Sequence, residues 1–274
     1  MIQPGRLALI LMAAVALLGC DNKKKLRAEY IAADKAVAAP TPPTHFQLTT
    51  PDAKIELVLP DHFDIYPELH QALFDSGKQE LMEFAKSAAG DRARYILKGR
   101  HPTVYERKVV WTITAITPRL ISLKSDWFSD TGGVHPNHGT GSYLWDRFHT
   151  QRLMQSELFK PGYDFSALDP VLCDAITRVK AARMGPTDPK SWTCPKWADS
   201  RAVLVPSTRP YRIGGLMFLY DPYVIGAYAE GDYQVVIPQA VFQQAIAPAW
   251  AQDFAGAPAP PVQPRSQKPP IKAR

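Results

Sequence analysis

The stretch from Val109 to Ile116 constrains the fold most. Val109, Trp111, Ile113 and Ala115 fall on one side of an extended chain, and Val110, Thr112, Thr114 and Ile116 on the other. Alternation of β-branched and aromatic side chains with period two marks a strand, because successive side chains of a strand point to opposite faces. After Pro118 the chain resumes with Ile121, Leu123 and Trp127, so the two runs predict a hairpin. Gly139 to Trp145 offers a third strand beside it. A chain with this unit builds its domain around a sheet.

Other elements follow the same logic. Ile55, Leu57 and Leu59 give a strand that stops at Pro60. Pro67 suits a first helical turn, and Leu69, Leu73, Leu81, Phe84 and Ala88 follow at helical spacing, with Gly77 weakening the middle. Asp169-Pro170 reads as an N-cap and first-turn pair for a second helix, whose inner stripe is Leu168, Val171, Leu172, Ala175, Ile176, Val179 and Ala182. Strands are expected at 202–205, 212–220 and 233–237. Pro238 opens a last helix with Val241, Phe242, Ala245 and Ile246 facing inward. Strand clusters interrupted by helices, without regular βαβ alternation, predict an α+β domain over residues 46–254, an antiparallel sheet with helices packed on it.

The ends of the chain carry separate signals. Arg6 precedes twelve apolar residues, Leu7 to Leu18, which is the layout of a secretory signal peptide and too short to span a bilayer. Gly19-Cys20 closes it like a bacterial lipobox, so residues 1–19 are expected to be removed and Cys20 lipidated. Asp21, next to that cysteine, resembles the signal that retains lipoproteins in the inner membrane. The expected location is the cell envelope, lipid-anchored at the periplasmic face of the inner membrane. Lys23, Lys24 and Lys25 add roughly 1 kcal/mol each beside anionic headgroups. Residues 20–45, with Pro40, Pro42 and Pro43, read as a tether. Residues 255–274 hold six prolines, four basic residues and no acid, and read as an unpacked basic tail.

Once Cys20 is lipidated, Cys173 and Cys194 are left in an oxidising compartment, where one disulfide between them is expected. Two buried thiols are the alternative; no Cys-x-x-Cys spacing supports redox chemistry. A net charge of +6, from 32 Lys and Arg against 26 Asp and Glu, is too modest and dispersed to argue for nucleic acid.

One cluster invites an active-site reading: Gly132-Gly133-Val134-His135-Pro136-Asn137-His138-Gly139. His135 and His138 could share a metal, with Asp126, Asp130, Asp146 or His149 as a third ligand. The His-Glu-x-x-His spacing is missing, and a tight turn set by the glycines and Pro136 explains the same residues. Ser142 sits in no Gly-x-Ser-x-Gly elbow, and no Walker or dinucleotide glycine pattern appears, so neither a catalytic residue nor a cofactor is expected. Tyr220, Tyr223 and Tyr228 form either a recognition surface or, given their apolar flanks, core. Trp192 and Trp197, inside and beside the disulfide loop, are candidates for exposed anchors. The candidate binding residues are therefore Gly133, His135, His138, Trp192, Trp197 and Tyr223.

Two segments carry a resemblance. One runs from Leu120-Ile121-Ser122-Leu123 through Gly132-Gly133-Val134-His135-Pro136 to Leu144. The other is Phe218-Leu219-Tyr220-Asp221-Pro222-Tyr223, followed by Ala227-Tyr228-Ala229, Gly231 and Val235-Val236-Ile237-Pro238. Together they resemble the extracellular domain of the RsiV anti-sigma factor and the non-catalytic N-terminal part of the PdaC peptidoglycan deacetylase. The resemblance implies an α+β module outside the cytoplasmic membrane, of a kind that binds lysozyme in the anti-sigma factor. It departs in having a lipid-anchor signal in place of a membrane helix with a sigma-binding arm, and in having no second domain long enough for a deacetylase. The expectation is a non-catalytic binding lipoprotein whose partner is a lysozyme-like muramidase or peptidoglycan. A metal-dependent wall hydrolase using His135 and His138, and an envelope scaffold without a small ligand, are the alternatives.

Overall fold

The expected hairpin lies at the centre of the larger of two sheets. In the computed structural model, which describes residues 42–186 and 192–260, β3 (Tyr105–Ile116) and β4 (Leu120–Asp130) pair antiparallel across a turn at Thr117–Arg119. The signal peptide, Cys20, nearly all of the tether and residues 261–274 lie outside the described residues, and the fold below is that of the unit beginning at Pro43. β5 (Asn137–Asp146) pairs with β4, and β6 (Gln151–Leu153) with β5, both antiparallel.

On the other flank, β2 (Ala53–Val58) pairs parallel with β3, and β1 (His45–Thr49) antiparallel with β2. The order is β1-β2-β3-β4-β5-β6. The parallel pair departs from an all-antiparallel sheet. Parallel neighbours need a long crossover, and helix α1 (Pro67–Leu97) supplies it. Leu69, Leu73, Leu81 and Ala88 of α1 are buried, as their spacing predicts. Gly77 has a packing role: a Cβ there would stand 3.0 Å from Leu57 Cδ2, so the glycine lets α1 lie close on β2.

The smaller sheet has the order β7-β8-β9, all antiparallel: β7 (Ala202–Pro206), β8 (Ile213–Tyr220) and β9 (Tyr233–Pro238). Helix α2 (Asp169–Met184) packs on it through buried Leu172, Ala175 and Ile176, while Ala182 is exposed. Leu168 rather than Asp169 takes the N-cap position, because Asp169 Oδ1 accepts the Trp197 N–H at 2.7 Å instead. Cys173 of α2 and Cys194 form the expected disulfide, with Cα atoms 5.5 Å apart. Closing a loop of this length stabilises the fold by about 3 kcal/mol in the chain-entropy model.

Two expectations for the C-terminal part are corrected. The helix after Pro238 is a single turn, Gln239–Phe242, continued by a 3-10 turn. Phe242, Ala245 and Ile246 are buried, but Val241 is 40% exposed. The stretch expected to be unpacked from residue 255 is held through residue 259. Ala255 N–H donates to Ile213 O (3.0 Å), Thr208 N–H to Ala257 O (2.9 Å) and Ala259 N–H to Pro206 O (2.8 Å). These bonds, with buried Phe254 just ahead, offset the entropy of ordering a proline-rich segment.

The larger sheet is buried on both faces where β4 crosses it. Ile121 and Leu123 point to α1 and join Leu57, Leu69 and Leu81 in one core. Leu120 points the other way, into a second core with Leu172, Trp197, Phe218 and Ile237. The half of that second face over β1, β2 and the adjoining ends of β3 and β4 is uncovered, with Gln47, Lys54, Lys108, Asp126 and Phe128 exposed. No helix of the described residues is long and apolar enough to cross a membrane.

Candidate functional site

The two segments that carry the resemblance meet in space, at the loop joining β4 to β5 and the loop joining β8 to β9. Asp221, the first residue after β8, joins them. Its Oδ1 accepts from the N–H and the hydroxyl of Thr140 in β5, each at 2.8 Å, and its Oδ2 from Arg201 Nη2 at 2.9 Å. This approach requires glycine next to Thr140. A Cβ at Gly139 would stand 2.5 Å from the Trp127 ring and 2.8 Å from Asp221 Oδ2.

Above this clamp lies a cluster of rings. His135 Nδ1 lies 2.8 Å from Pro136 O, and a carbonyl only accepts, so Nδ1 carries the proton of the neutral ring. Nε2 then accepts from the Tyr223 hydroxyl at 3.1 Å. The His135 ring stacks on Tyr228 at 4.0 Å, and His138 meets the same ring edge-on at 5.4 Å. The Tyr228 hydroxyl donates to Pro136 O at 2.6 Å and lies 3.4 Å from His138 Nδ1. Tyr223 is left-handed, with φ 73°, a conformation that costs a non-glycine residue on the order of 1 kcal/mol. It is nevertheless 64% exposed, next to Val224 at 51%, and Val134 at the tip of the facing loop is fully exposed.

The β8–β9 loop is braced from below by α2. The Glu230 carboxylate accepts from Lys180 Nζ and the Tyr233 hydroxyl, and its Oε1 from Ala227 N–H at 3.2 Å. Lys180, then Tyr233, hold the Glu230 carboxyl down at about 2. Burial, with Glu230 alongside, pushes the Tyr233 hydroxyl up to about 12. Arg183 Nη1 donates to Glu230 O (2.6 Å) and Asp232 O (2.8 Å), fixing the end of the loop.

The structure brings His135, His138 and Tyr223 together and separates the rest. Gly132 combines φ +74° with a Cβ position that would collide with Thr103 Oγ1 and so needs to be glycine, whereas Gly133 is exposed, and nothing in the structure explains it. Trp197 is no surface anchor. It is 1% exposed and packs against Phe218 (4.6 Å) and Phe242 (5.5 Å), because its bond to Asp169 draws it under α2. Trp192 is partly buried against the same core. Tyr220 is core, with its hydroxyl donating to Ser200 Oγ at 3.0 Å.

Among the described residues no three His, Cys, Asp or Glu side chains converge as a ligand set. Asp126 and Asp130 accept from Lys124 and from Gly132 N–H. Asp146 and His149 pair with each other at 2.6 Å at the far end of β5. Burial opposes ionisation of Asp146, but His149 and the N–H groups of Phe148 and His149 outweigh it and lower its carboxyl.

Sequence reasoning missed Thr140, Arg201, Lys180 and Glu230, and met Asp221 only as part of a segment that carries the resemblance. Their only local sign was Gly139 between two strand residues. Most polar groups of the cluster hold the loops to each other, and Val134, Tyr223 and Val224 face solvent beside exposed Thr131 and Asn137. Chemically that is a contact surface.

Comparison with known proteins bears on the fold. A family model described as "Protein of unknown function (DUF3298)" matches residues 156–240, which include the β8–β9 loop and its brace but not His135. No curated protein matches. A crystal structure of a DUF3298 family protein from Pseudomonas aeruginosa PAO1 is similar at 18% identity and a TM-score of 0.51, covering 79% of this chain and 99% of that one. A DUF3298 family member from Bacteroides fragilis NCTC 9343 aligns at 15% identity and a TM-score of 0.45, over 73% of this chain and 87% of its own. The chain shares its fold with the Pseudomonas protein, and the part of it from residue 156 to 240 matches DUF3298.

Proposed function

We propose that this chain is a lipid-anchored envelope protein, held through Cys20 at the periplasmic face of the inner membrane, whose domain is a non-catalytic receptor for peptidoglycan. The observation that carries this reading is the convergence of the β4–β5 and β8–β9 loops on the His135–Tyr223–Tyr228 cluster, capped by exposed Val134, Tyr223 and Val224. A strained, exposed tyrosine fixed by a hydrogen bond is pre-organised, so little ordering entropy is lost when a ligand lands on it. The signal-peptide pattern and the disulfide support an extracytoplasmic setting.

The resemblance favours a second ligand, a lysozyme-like muramidase. Charge weighs against it: such enzymes are strongly basic, this chain carries +6, and like net charges slow encounter. Co-sedimentation of the purified full chain with isolated sacculi, beside calorimetry with a basic lysozyme, tests the reading. Binding to sacculi that Tyr223→Ala weakens at least about tenfold, or roughly 1.4 kcal/mol, is expected. Release of soluble wall fragments would show an enzyme, and tight binding of lysozyme without sacculi would put the muramidase in place of the wall.

A further inference from the structure

The uncovered face of the larger sheet leads into the loop cluster. Strand register sets Gln47 opposite Glu56, Glu56 opposite Lys108, Lys108 opposite Phe128, and Phe128 opposite His138. Cross-strand partners share a face, so these five side chains form one row. The row lies on the side away from α1, since Arg107, next to Lys108, points the other way to Glu80 of α1. It spans four strand spacings, on the order of 19 Å. A groove of about 280 Å3 follows it between Gln47, Lys54, Glu56, Lys108 and Phe128. At its far end His138 meets Tyr228, and Tyr228 meets Tyr223 at 5.7 Å.

The chemistry of this face differs from that of the whole chain. Lys108 pairs with Glu56 at 2.8 Å, Lys54 with Glu106 at 2.9 Å and Lys124 with Asp126 at 2.9 Å. On a chain with a net +6, all three lysines of the face are paired with carboxylates, and Asp130, set opposite Glu106, accepts from the Gly132 N–H. A polyanion finds no surplus cation there among the described residues. Two aromatic residues are exposed, Phe128 at 37% and Tyr223 at 64%, with His138 between them and Gln47 at the other end of the row as hydrogen-bonding groups. Aromatic faces flanked by a few neutral polar groups match a sugar ring, which offers C–H groups on its face and hydroxyls at its rim.

We propose that the row and the loop cluster form one elongated site for the uncharged N-acetylhexosamine backbone of a linear glycan, with Phe128 and Tyr223 as its stacking platforms. This rests on the wall-binding reading above and names the chemistry that the site selects.

Calorimetry of the full chain with chitobiose and with chitohexaose, two neutral N-acetylglucosamine oligomers, tests it. The hexamer is expected to bind at least about tenfold more tightly than the dimer. Phe128→Ala should remove that gain, and Phe128→Tyr, which keeps the ring, should retain it. Equal affinity for both lengths, or a hexamer gain that survives Phe128→Ala, overturns the elongated site. If sacculi still bind through Tyr223 in that case, the receptor reading stands. If Phe128→Ala instead abolishes binding of a basic lysozyme and neither oligomer binds, the face docks protein and the glycan proposal fails.

Discussion

Tyr223 shows how one residue separates stability from function. Its left-handed backbone is unfavourable for tyrosine and unremarkable for glycine. Tyr223→Gly relieves that strain while losing the bond to His135, so its folding free energy in urea should stay within about 1 kcal/mol of the parent. Sacculus binding should nonetheless be lost. Glu230 governs the response of the loop to acid. Its carboxyl is held at about 2, below its ordinary 4.5, so its pairing stabilises the fold above pH 4.5 and is lost as pH falls toward 2. The urea midpoint should drop over that window, and Glu230→Gln should flatten this part of the profile. His135, His138 and Tyr223 were visible in the sequence as unusual residues in short loops. Asp221, Arg201 and Glu230 were not, because each acts on a partner 20 to 81 residues away.

Among the elements, those with a strong internal period were legible. The β3–β4 hairpin and the buried stripes of α1 and α2 follow from alternation and helical spacing alone. β1 and the parallel β2–β3 pair were not, since only two of the five β1 residues are large apolar ones, Phe46 and Leu48, and register is a long-range property. The segment 255–260 misled for a related reason. Its composition is that of an unpacked tail, but its backbone finds partners on β7 and β8. Truncation after Phe254 should therefore cost about 2–3 kcal/mol more than truncation after Pro260, at roughly 1 kcal/mol for each hydrogen bond lost. Matched urea denaturations of the two shortened chains measure that difference directly.

At the scale of the molecule, two cores share β4, one under α1 and one under the smaller sheet. That sharing brings a loop of each sheet to the same place. Neither loop makes a site alone: His135 lacks its tyrosines without the β8–β9 loop, and Tyr223 and Tyr228 lack their acceptors without the β4–β5 loop. An α+β domain with one disulfide was readable from the sequence, whereas this meeting of loops required the three-dimensional structure. The most direct test of its role is to map side-chain NMR shifts of the full chain, with histidine and tyrosine labelled, as a soluble wall glycan is titrated in. The account predicts saturable shifts at His135, His138, Tyr223 and Tyr228, with Tyr163 and Tyr211 unmoved. Shifts that leave these four untouched, or that do not saturate, would contradict it.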